Sequence, residues 1–191
     1  ELQAGQQEAE EMHSLYSGLW EIAGGRFPGV SVERYVLGFL LDEVKLHANL
    51  RLKEMTRGRY QLRRKEERDD KRRGAGLDLE ILDGYTGEAR PVQTLSGGET
   101  FLASLSLALG LADVVQARAG GIYLETLFVD EGFGTLDTEA LDLALKALID
   151  LQQGGRLVGI ISHVPELKER INARLEIMPT QRGSRAEFHI G

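Results

Sequence analysis

Apolar residues recur at three-to-four spacing early in the chain, at Met12, Leu15, Tyr16, Leu19 and Ile22, among Gln and Glu. That period predicts a helix from residue 1 to about 22, broken by Gly24, Gly25, Pro28 and Gly29. A second helical pattern runs from 31 to about 56, with Tyr35, Phe39, Leu40, Val44, Leu50 and Met55 among its apolar positions. The period then changes to two. Tyr60 to Leu62 reads as a short strand, and Leu77-Asp78-Leu79-Glu80-Ile81 alternates as a half-buried strand does. Asp83-Gly84 marks a turn. The charged stretch from Arg63 to Gly76, between the two strands, is expected to be an exposed loop.

From Leu95 onward, short apolar strands alternate with helices. Ser96 opens a Leu- and Ala-rich helix that reaches about Ala117. Leu127-Phe128-Val129 is a strand that ends in Asp130-Glu131. A helix follows from Thr138 to about Gln153, with Leu141, Ala144, Leu145, Leu148 and Leu151 on one face, and Gly154-Gly155 ends it. Leu157 to Ile161 is a further apolar strand, Pro165 opens a short helix, and Leu175–Met178 with Ala186–Ile190 form a terminal strand pair. Buried strands alternating with helices predict an α/β fold with a mainly parallel sheet.

Composition narrows the class. A chain of 191 residues, 42% apolar and 28% charged, can bury a real core and is not disordered. It has no cysteine, so neither disulfides nor thiolate metal sites are available, which suits a reducing cytoplasm. No apolar run reads as a membrane span and no signal peptide is evident. The start at Glu1 rather than Met reads as a fragment of something longer. The net charge of −7 is uneven: residues 51 to 73 hold eleven Lys/Arg and five acids, an excess of six positive charges, so the remainder carries −13. Such a segment could meet a phosphate backbone, or could be a solvated loop of mixed charge.

Four constellations carry chemistry. In Leu95-Ser96-Gly97-Gly98-Glu99, Ser96 and Glu99 have capping-box spacing, and the glycines let a ligand approach the backbone. Amides, a hydroxyl and a positive helix end make an anion site, unless the run is only a well-capped helix. In Leu127-Phe128-Val129-Asp130-Glu131, an apolar strand delivers two acids to the sheet edge where α/β ligands bind. There Asp130 suits Mg²⁺ and Glu131 suits proton acceptance from an attacking water; two solvated acids are the plainer alternative. In Gly134-Thr135-Leu136-Asp137, Asp137 reads as a helix N-cap whatever else it does. His163, at the end of the next strand, could donate to a phosphate oxygen or be merely structural.

Taken in this order, the four resemble the ABC ATPase superfamily: LSGGE its signature motif, LFVDE its Walker B with catalytic glutamate, GTLD its D-loop and His163 its switch histidine. The stretch Leu124 to Asp137, with Asp130-Glu131-Gly132-Phe133-Gly134, is similar to the SbcC family, SMC-like ATPases that partner the nuclease SbcD. YTGEARPVQTLSGG from Tyr85 to Gly98, GIISHVPELK from Gly159 to Lys168 and, less specifically, VERYVL from Val32 to Leu37 match that family too. No G-x-x-x-x-G-K-[ST] phosphate loop is present; in the SbcC family it lies in an N-terminal lobe beyond a long coiled coil.

The resemblance implies the C-terminal lobe of an ABC-type (P-loop NTPase) head, with coiled-coil root helices at 1–57 and the ATPase lobe at 58–191. It implies ATP and Mg²⁺ as cofactors, with metal held at Asp130, Glu131 and His163 catalytic, and Ser96, Gly97, Gly98, Glu99 and Asp137 contacting nucleotide. The implied partners are the N-terminal lobe of the same polypeptide, a second head joined by ATP, an SbcD-like nuclease and DNA bound without sequence preference, with no membrane. Rival readings are an SMC- or RecN-like DNA-tethering head without a nuclease, against which DEGFG argues, and a transporter cassette, which would need its own phosphate loop upstream of Leu95.

Overall fold

The computed structural model describes residues 12–14, 16–21, 23, 32–65, 77–118, 120, 124–181 and 183–190. The described positions between 12 and 23 are helical. The remainder of the predicted first helix, its glycine-rich break and most of the charge run, 66–76, lie outside the described residues. The chain divides into two compact units, Glu1–Tyr123 and Leu124–Gly191.

In the first unit, helix α1 (Val32–Met55) buries Gly38, Val44, Ala48, Leu52 and Met55, a stripe at helical spacing. It packs against α2 (Gly97–Arg118), whose buried positions include Leu102, Leu105, Leu109, Gly110 and Val114. The helices cross closely at Gly110: a Cβ there would lie 2.6 Å from the Val44 carbonyl oxygen and 2.7 Å from the Ala48 nitrogen. Only a residue without a side chain fits. Ser106 is fully buried in this interface, and its hydroxyl donates to the Leu102 carbonyl at 2.7 Å, so burial leaves no unmet donor.

The chain leaves α1 through a turn at Thr56–Gly58, where Arg57 and Gly58 take positive φ of 51° and 78°. It then enters an antiparallel sheet of β1 (Tyr60–Arg64), β2 (Leu79–Asp83) and β3 (Ala89–Pro91), ordered β1-β2-β3. Tyr60 and Leu62 face inward in β1, and Leu62 pairs Ile81 across the ladder. Asn49 of α1 locks helix to sheet. Its amide donates to the Leu62 carbonyl at 2.9 Å and its oxygen accepts the Leu62 N–H at 2.8 Å. Strand β2 starts two residues later than the alternation predicts, at Leu79, and runs through Asp83. Strand β3 was not expected; its Pro91 sits on an edge strand, where a missing N–H costs little.

The second unit holds the parallel part of the fold. Strands β4 (Thr126–Asp130) and β5 (Leu157–Ile161) pair in parallel, with helix α3 (Thr138–Gln153) as the crossover, the βαβ unit that parallel pairing requires. Leu141, Ala144, Leu145, Leu148 and Leu151 form the buried face of α3. After β5 comes α4 (Pro165–Arg170), then the hairpin β6 (Ala173–Thr180) and β7 (Gly183–Ile190). The fold is mixed helix and sheet, and its parallel component among the described residues is this one pair.

A further expectation changes. Helix α2 is long and apolar enough to cross a membrane by length and composition. Part of its apolarity serves the packing against α1, while Leu111 and Val115 stay exposed, and its far half is tied to that helix by ion pairs: Asp113 to Arg51 at 2.6 Å and Arg118 to Glu43 at 2.7 Å. A core helix can be apolar for this reason alone.

Candidate functional site

The first group of residues sits at the N-terminus of α2. Ser96 and Glu99 form the reciprocal capping box that their spacing predicts. The Ser96 N–H donates to Glu99 Oε2 at 2.9 Å, and the Glu99 N–H donates to Ser96 Oγ at 3.3 Å. Ser96 and Gly97 are exposed and Gly98 is half-buried, so the tip of α2 is open to a ligand. The local reason is plain: a short 3-10 turn at Val92–Thr94 ends at Leu95 in extended backbone, and Ser96 begins the helix without covering it.

Around Glu99 lies a charged network that the linear pattern did not foreshadow. The Tyr60 hydroxyl donates to Glu99 Oε1. Arg59 and Arg90 each stand 3.7 Å from Glu99, on Oε1 and Oε2 respectively. Arg59 also makes a double hydrogen bond to Asp83, at 3.1 and 3.4 Å, and its guanidinium lies over the rings of Tyr60 and Tyr85, 4.6 and 5.0 Å from their centroids. Arg90 donates to the Thr94 carbonyl and hydroxyl, both at 2.7 Å, which ties down the loop before Ser96.

The titration behaviour follows. Burial, followed by the hydrogen bond to Glu99, pushes the Tyr60 phenol up to about 12, so it stays a donor at any physiological pH. Burial would raise the Glu99 carboxyl, but the hydrogen bonds from Tyr60 and Ser96 outweigh it and leave the group below its ordinary range. Asp83 is held low chiefly by Arg59 and then by the Tyr85 N–H, which donates to it at 2.9 Å. Arg59 is raised in turn, first by its hydrogen bond to Asp83.

The second group lies at the C-terminal edge of the β4–β5 pair, in the other unit. Asp130 is the last residue of β4 and is exposed. Glu131 follows in the left-handed region at φ 57°, a conformation that L residues adopt at a cost, and Gly132 continues at φ 94°. The Glu131 N–H still completes the ladder by donating to the Ile161 carbonyl at 2.8 Å. The chain then makes a 3-10 turn at Phe133–Thr135, anchored by Phe133, which is 1% exposed. This reversal places the Glu131 carboxylate 2.9 Å from His163 Nδ1. Both groups are open to solvent, His163 at 81% and Glu131 at 50% of the side chain. Gly134 passes beside the imidazole: a Cβ there would lie 3.9 Å from His163 Nε2.

Asp137 caps α3, accepting the Ala140 N–H at 2.8 Å. Sequence reasoning thus placed Glu131 and His163 at one edge, and the structure brings them into contact. Ser96 and Glu99 are also together. Nothing in the sequence signalled Tyr60, Arg59, Asp83 or Arg90; their contribution arises from strand pairing, which sets Tyr60 opposite Asp83 and Arg90 opposite Ile81.

Among the described residues, no group of three or more His, Asp and Glu side chains is placed to hold a metal. The donor set at Asp130 therefore fits an ion that keeps most of its water and shares phosphate oxygens, as Mg²⁺ does, and not one that needs a protein cage.

Known proteins place this architecture. The family described as SbcC/RAD50-like, Walker B motif, matches residues 66–150. The C subunit of the nuclease SbcCD from Vibrio cholerae is 59% identical over 176 residues, covering 92% of this chain and 17% of its own length. Its namesake from Treponema pallidum is 46% identical over 178 residues, covering 93% of this chain and 17% of its own. The chain thus spans about a sixth of the length of these relatives. Among solved structures, an Smc head domain with an extended coiled coil, bound to the C-terminal domain of ScpA and derived from Pyrococcus furiosus, aligns over 99% of this chain and 44% of its own. Its TM-score is 0.65 at 14% identity. A structure from a study of ATP-driven dimerisation of SMC ATPases aligns over 81% of this chain and 88% of its own, with TM-score 0.59 and 13% identity. At such identities the likeness is one of fold.

Proposed function

We propose that this chain, which belongs to the SbcC/RAD50-like family, is the C-terminal lobe of an SbcC-like ATPase head whose ATP cycle regulates a partner nuclease acting on DNA ends. The observation that carries the reading is the Glu131–His163 contact of 2.9 Å at the C-terminal edge of a parallel strand pair, directly after Asp130. An acid held by a strained backbone, next to an imidazole and open to solvent, is what water activation at a phosphate needs.

In this reading Asp130 is the carboxylate that would hold Mg²⁺, which supplies charge neutralisation at the phosphates when bound. Glu131 accepts the proton of the attacking water. His163 donates through Nδ1 to Glu131 Oε2 and so orients that carboxylate; in the ATP-bound head the neutral ring would give up that bond to donate its one N–H to the γ-phosphate. Asp137 reaches across to the second head. Ser96, Gly97 and Gly98, with Glu99 shaping the tip, bind the phosphate of the nucleotide held by that second head. The phosphate loop comes from the N-terminal lobe of the same polypeptide, residues 1–57 root the coiled coil, and an SbcD-like nuclease and DNA complete a cytoplasmic assembly.

The reading makes Ser96 and Glu131 of one protomer serve different nucleotides, and a complementation experiment tests it. Full-length Ser96→Arg and Glu131→Gln proteins should each be inactive. Mixed, they pair the intact Glu131 of one with the intact Ser96 of the other. Random two-fold pairing would leave about a quarter of sites whole, and Ser96→Arg weakens pairing through its own site, so turnover should return to at most about a quarter. No recovery on mixing, with protomer exchange verified, refutes the shared-nucleotide arrangement. The rival SMC- or RecN-like tethering head shares this chemistry and is separated by its failure to co-purify with an SbcD-like phosphoesterase.

A further inference from the structure

A capping box needs two hydrogen bonds, and Ser96 with Glu99 has both. Glu99 nevertheless has three further donors around it. The Tyr60 hydroxyl is on Oε1, Arg59 is 3.7 Å from Oε1, and Arg90 is 3.7 Å from Oε2. Helix capping does not require them. An anion-binding tip does, because a bare carboxylate beside it would repel an incoming phosphate. Arg59 and Arg90 offset the charges of Glu99 and Asp83 one for one, so the cluster is neutral. Glu99 Oε1 meets Tyr60 while Oε2 stays on the Ser96 N–H at 2.9 Å, an arrangement in which Ser96 and Gly97 remain exposed.

The origin of those donors matters as much as their charge. Arg59 and Tyr60 follow α1 directly, after the tight turn in which Gly58 N–H bonds the Lys53 carbonyl at 2.7 Å. The Tyr60 N–H also donates to the Thr56 hydroxyl at 3.3 Å, and that hydroxyl donates to the Leu52 carbonyl at 2.6 Å. The last turn of α1 is thus joined to the Ser96 N–H by hydrogen bonds at the two ends of Tyr60, its N–H on the Thr56 side and its hydroxyl on Glu99. Tyr60 is the link that crosses from one element to the other. It is 4% exposed and its ring has Arg59 on one side and Arg90 on another, at 4.6 and 5.9 Å, which leaves it little freedom to turn.

We propose that Tyr60 is a positioning residue for the α2 tip: its hydroxyl, steadied by Arg59 and Arg90, holds Glu99 in the one arrangement that keeps Ser96 open to a phosphate, and so ties the state of that tip to the end of α1. The proposal rests on the reading that Ser96–Gly98 engage the nucleotide of a second head. Tyr60 does not touch that nucleotide; it acts through Glu99.

The test uses the full-length protein and Tyr60→Phe, which removes one oxygen and preserves the ring and both arginine contacts. A hydrogen bond to a charged acceptor is worth enough to shift an equilibrium on the order of tenfold. The ATP concentration for half-maximal turnover should rise by about that factor, and kcat at saturating ATP should stay within about twofold, because the chemistry at Glu131 is untouched. Tyr60→Phe combined with Glu99→Gln should be no worse than Glu99→Gln alone, since the two residues act as one unit. Additive effects, or equal losses in kcat and affinity, would make Tyr60 an ordinary structural residue and overturn the proposal. Wild-type behaviour of Tyr60→Phe, alongside a Ser96→Arg protein that no longer dimerises with ATP, would also overturn it while leaving the nucleotide reading intact. A Ser96→Arg protein that still dimerises with ATP would refute the nucleotide reading itself.

Discussion

Glu131 is held at φ 57°, outside the region that L residues prefer, and this makes its backbone and its carboxylate separable by mutation. Glu131→Gln keeps the strained backbone and removes the proton acceptor. Glu131→Gly removes both. The left-handed conformation costs an L residue about 1–2 kcal/mol. Glycine escapes that cost, but its freer unfolded chain takes back roughly 0.4–1 kcal/mol. The glycine variant should therefore hold this segment about 0.5–1 kcal/mol more firmly than the glutamine variant. Hydrogen exchange in the full-length protein reads the difference locally, at the Glu131 N–H that donates to Ile161 and at its neighbours in β4 and β5. After correction for intrinsic rates, exchange should be about 2- to 5-fold slower in Glu131→Gly. Both variants should lose turnover by about 10²–10⁴, the usual contribution of a general base. Faster exchange in the glycine variant would mean that the backbone is not strained as described. Undiminished hydrolysis by Glu131→Gln would remove the carboxylate from the chemistry.

Three further outcomes follow from the packing and the charges. Gly110→Ala sets a Cβ 2.6 Å from the Val44 carbonyl, so α1 and α2 must part; overpacking of about 1–3 kcal/mol exceeds the roughly 1 kcal/mol that alanine gains in a helix. Hydrogen exchange should speed up across both helices, and unchanged protection would show that they do not cross there. Asp83 is lowered by Arg59, so its stabilising contribution is complete above the ordinary carboxylate range and disappears as pH falls through its depressed value. Acid unfolding below about pH 4 should be less steep in Asp83→Asn than in wild type, and identical profiles would argue against the pair. Finally, if the basic segment contacts DNA, neutralising Arg63, Arg64, Lys71, Arg72 and Arg73 should flatten the salt dependence of DNA affinity by about 0.9 per lost phosphate contact. An unchanged slope would assign DNA binding elsewhere.

Much of this was legible because the relevant signals are local. Helix α3 carries its own cap at Asp137, its own apolar face and its own glycine stop, and its predicted bounds match those observed, Thr138–Gln153. Strand β5 likewise runs from Leu157 to Ile161 as read. The Ser96–Glu99 box was visible in four consecutive residues and forms as expected. What the linear pattern hid is assembled from distant parts. Arg59 and Tyr60, Asp83, Arg90 and Glu99 come from four segments; the β1-β2-β3 register gathers the first three, and the start of α2 sets Glu99 against them. The left-handed Glu131 was hidden for a different reason: nothing in a glutamate announces positive φ, and the glycine after it gives only a hint that the chain turns sharply. Strand β3 was missed because its three residues, Ala-Arg-Pro, have no alternation and end in a residue poor in strands.

The parallel pair also bears on the proposal that this chain is one lobe of a larger head. Parallel sheets are normally covered on both faces, and their strands read as continuous apolar runs because every side chain is buried. β4 and β5 have that sequence without that environment. Phe128 is 66% exposed, Leu157 63% and Ile161 54%. Phe128 lies against the backbone of Gly159, its partner across the ladder, where a Cβ would come within 2.4 Å of the ring. Even with that contact, most of the Phe128 side chain stays open to solvent. The hairpin β6–β7 repeats the pattern with Leu175, Ile177, Phe188 and Ile190, each more than half exposed. Single exposed apolar side chains are ordinary, but rows of them on strands signal a surface made to be covered. The relatives are more than five times as long as this chain, so they have the polypeptide to cover it. Under the proposed function, a second lobe carrying a phosphate loop would cover these strands and meet Asp130, Glu131 and His163 at the C-terminal edge of β4 and β5.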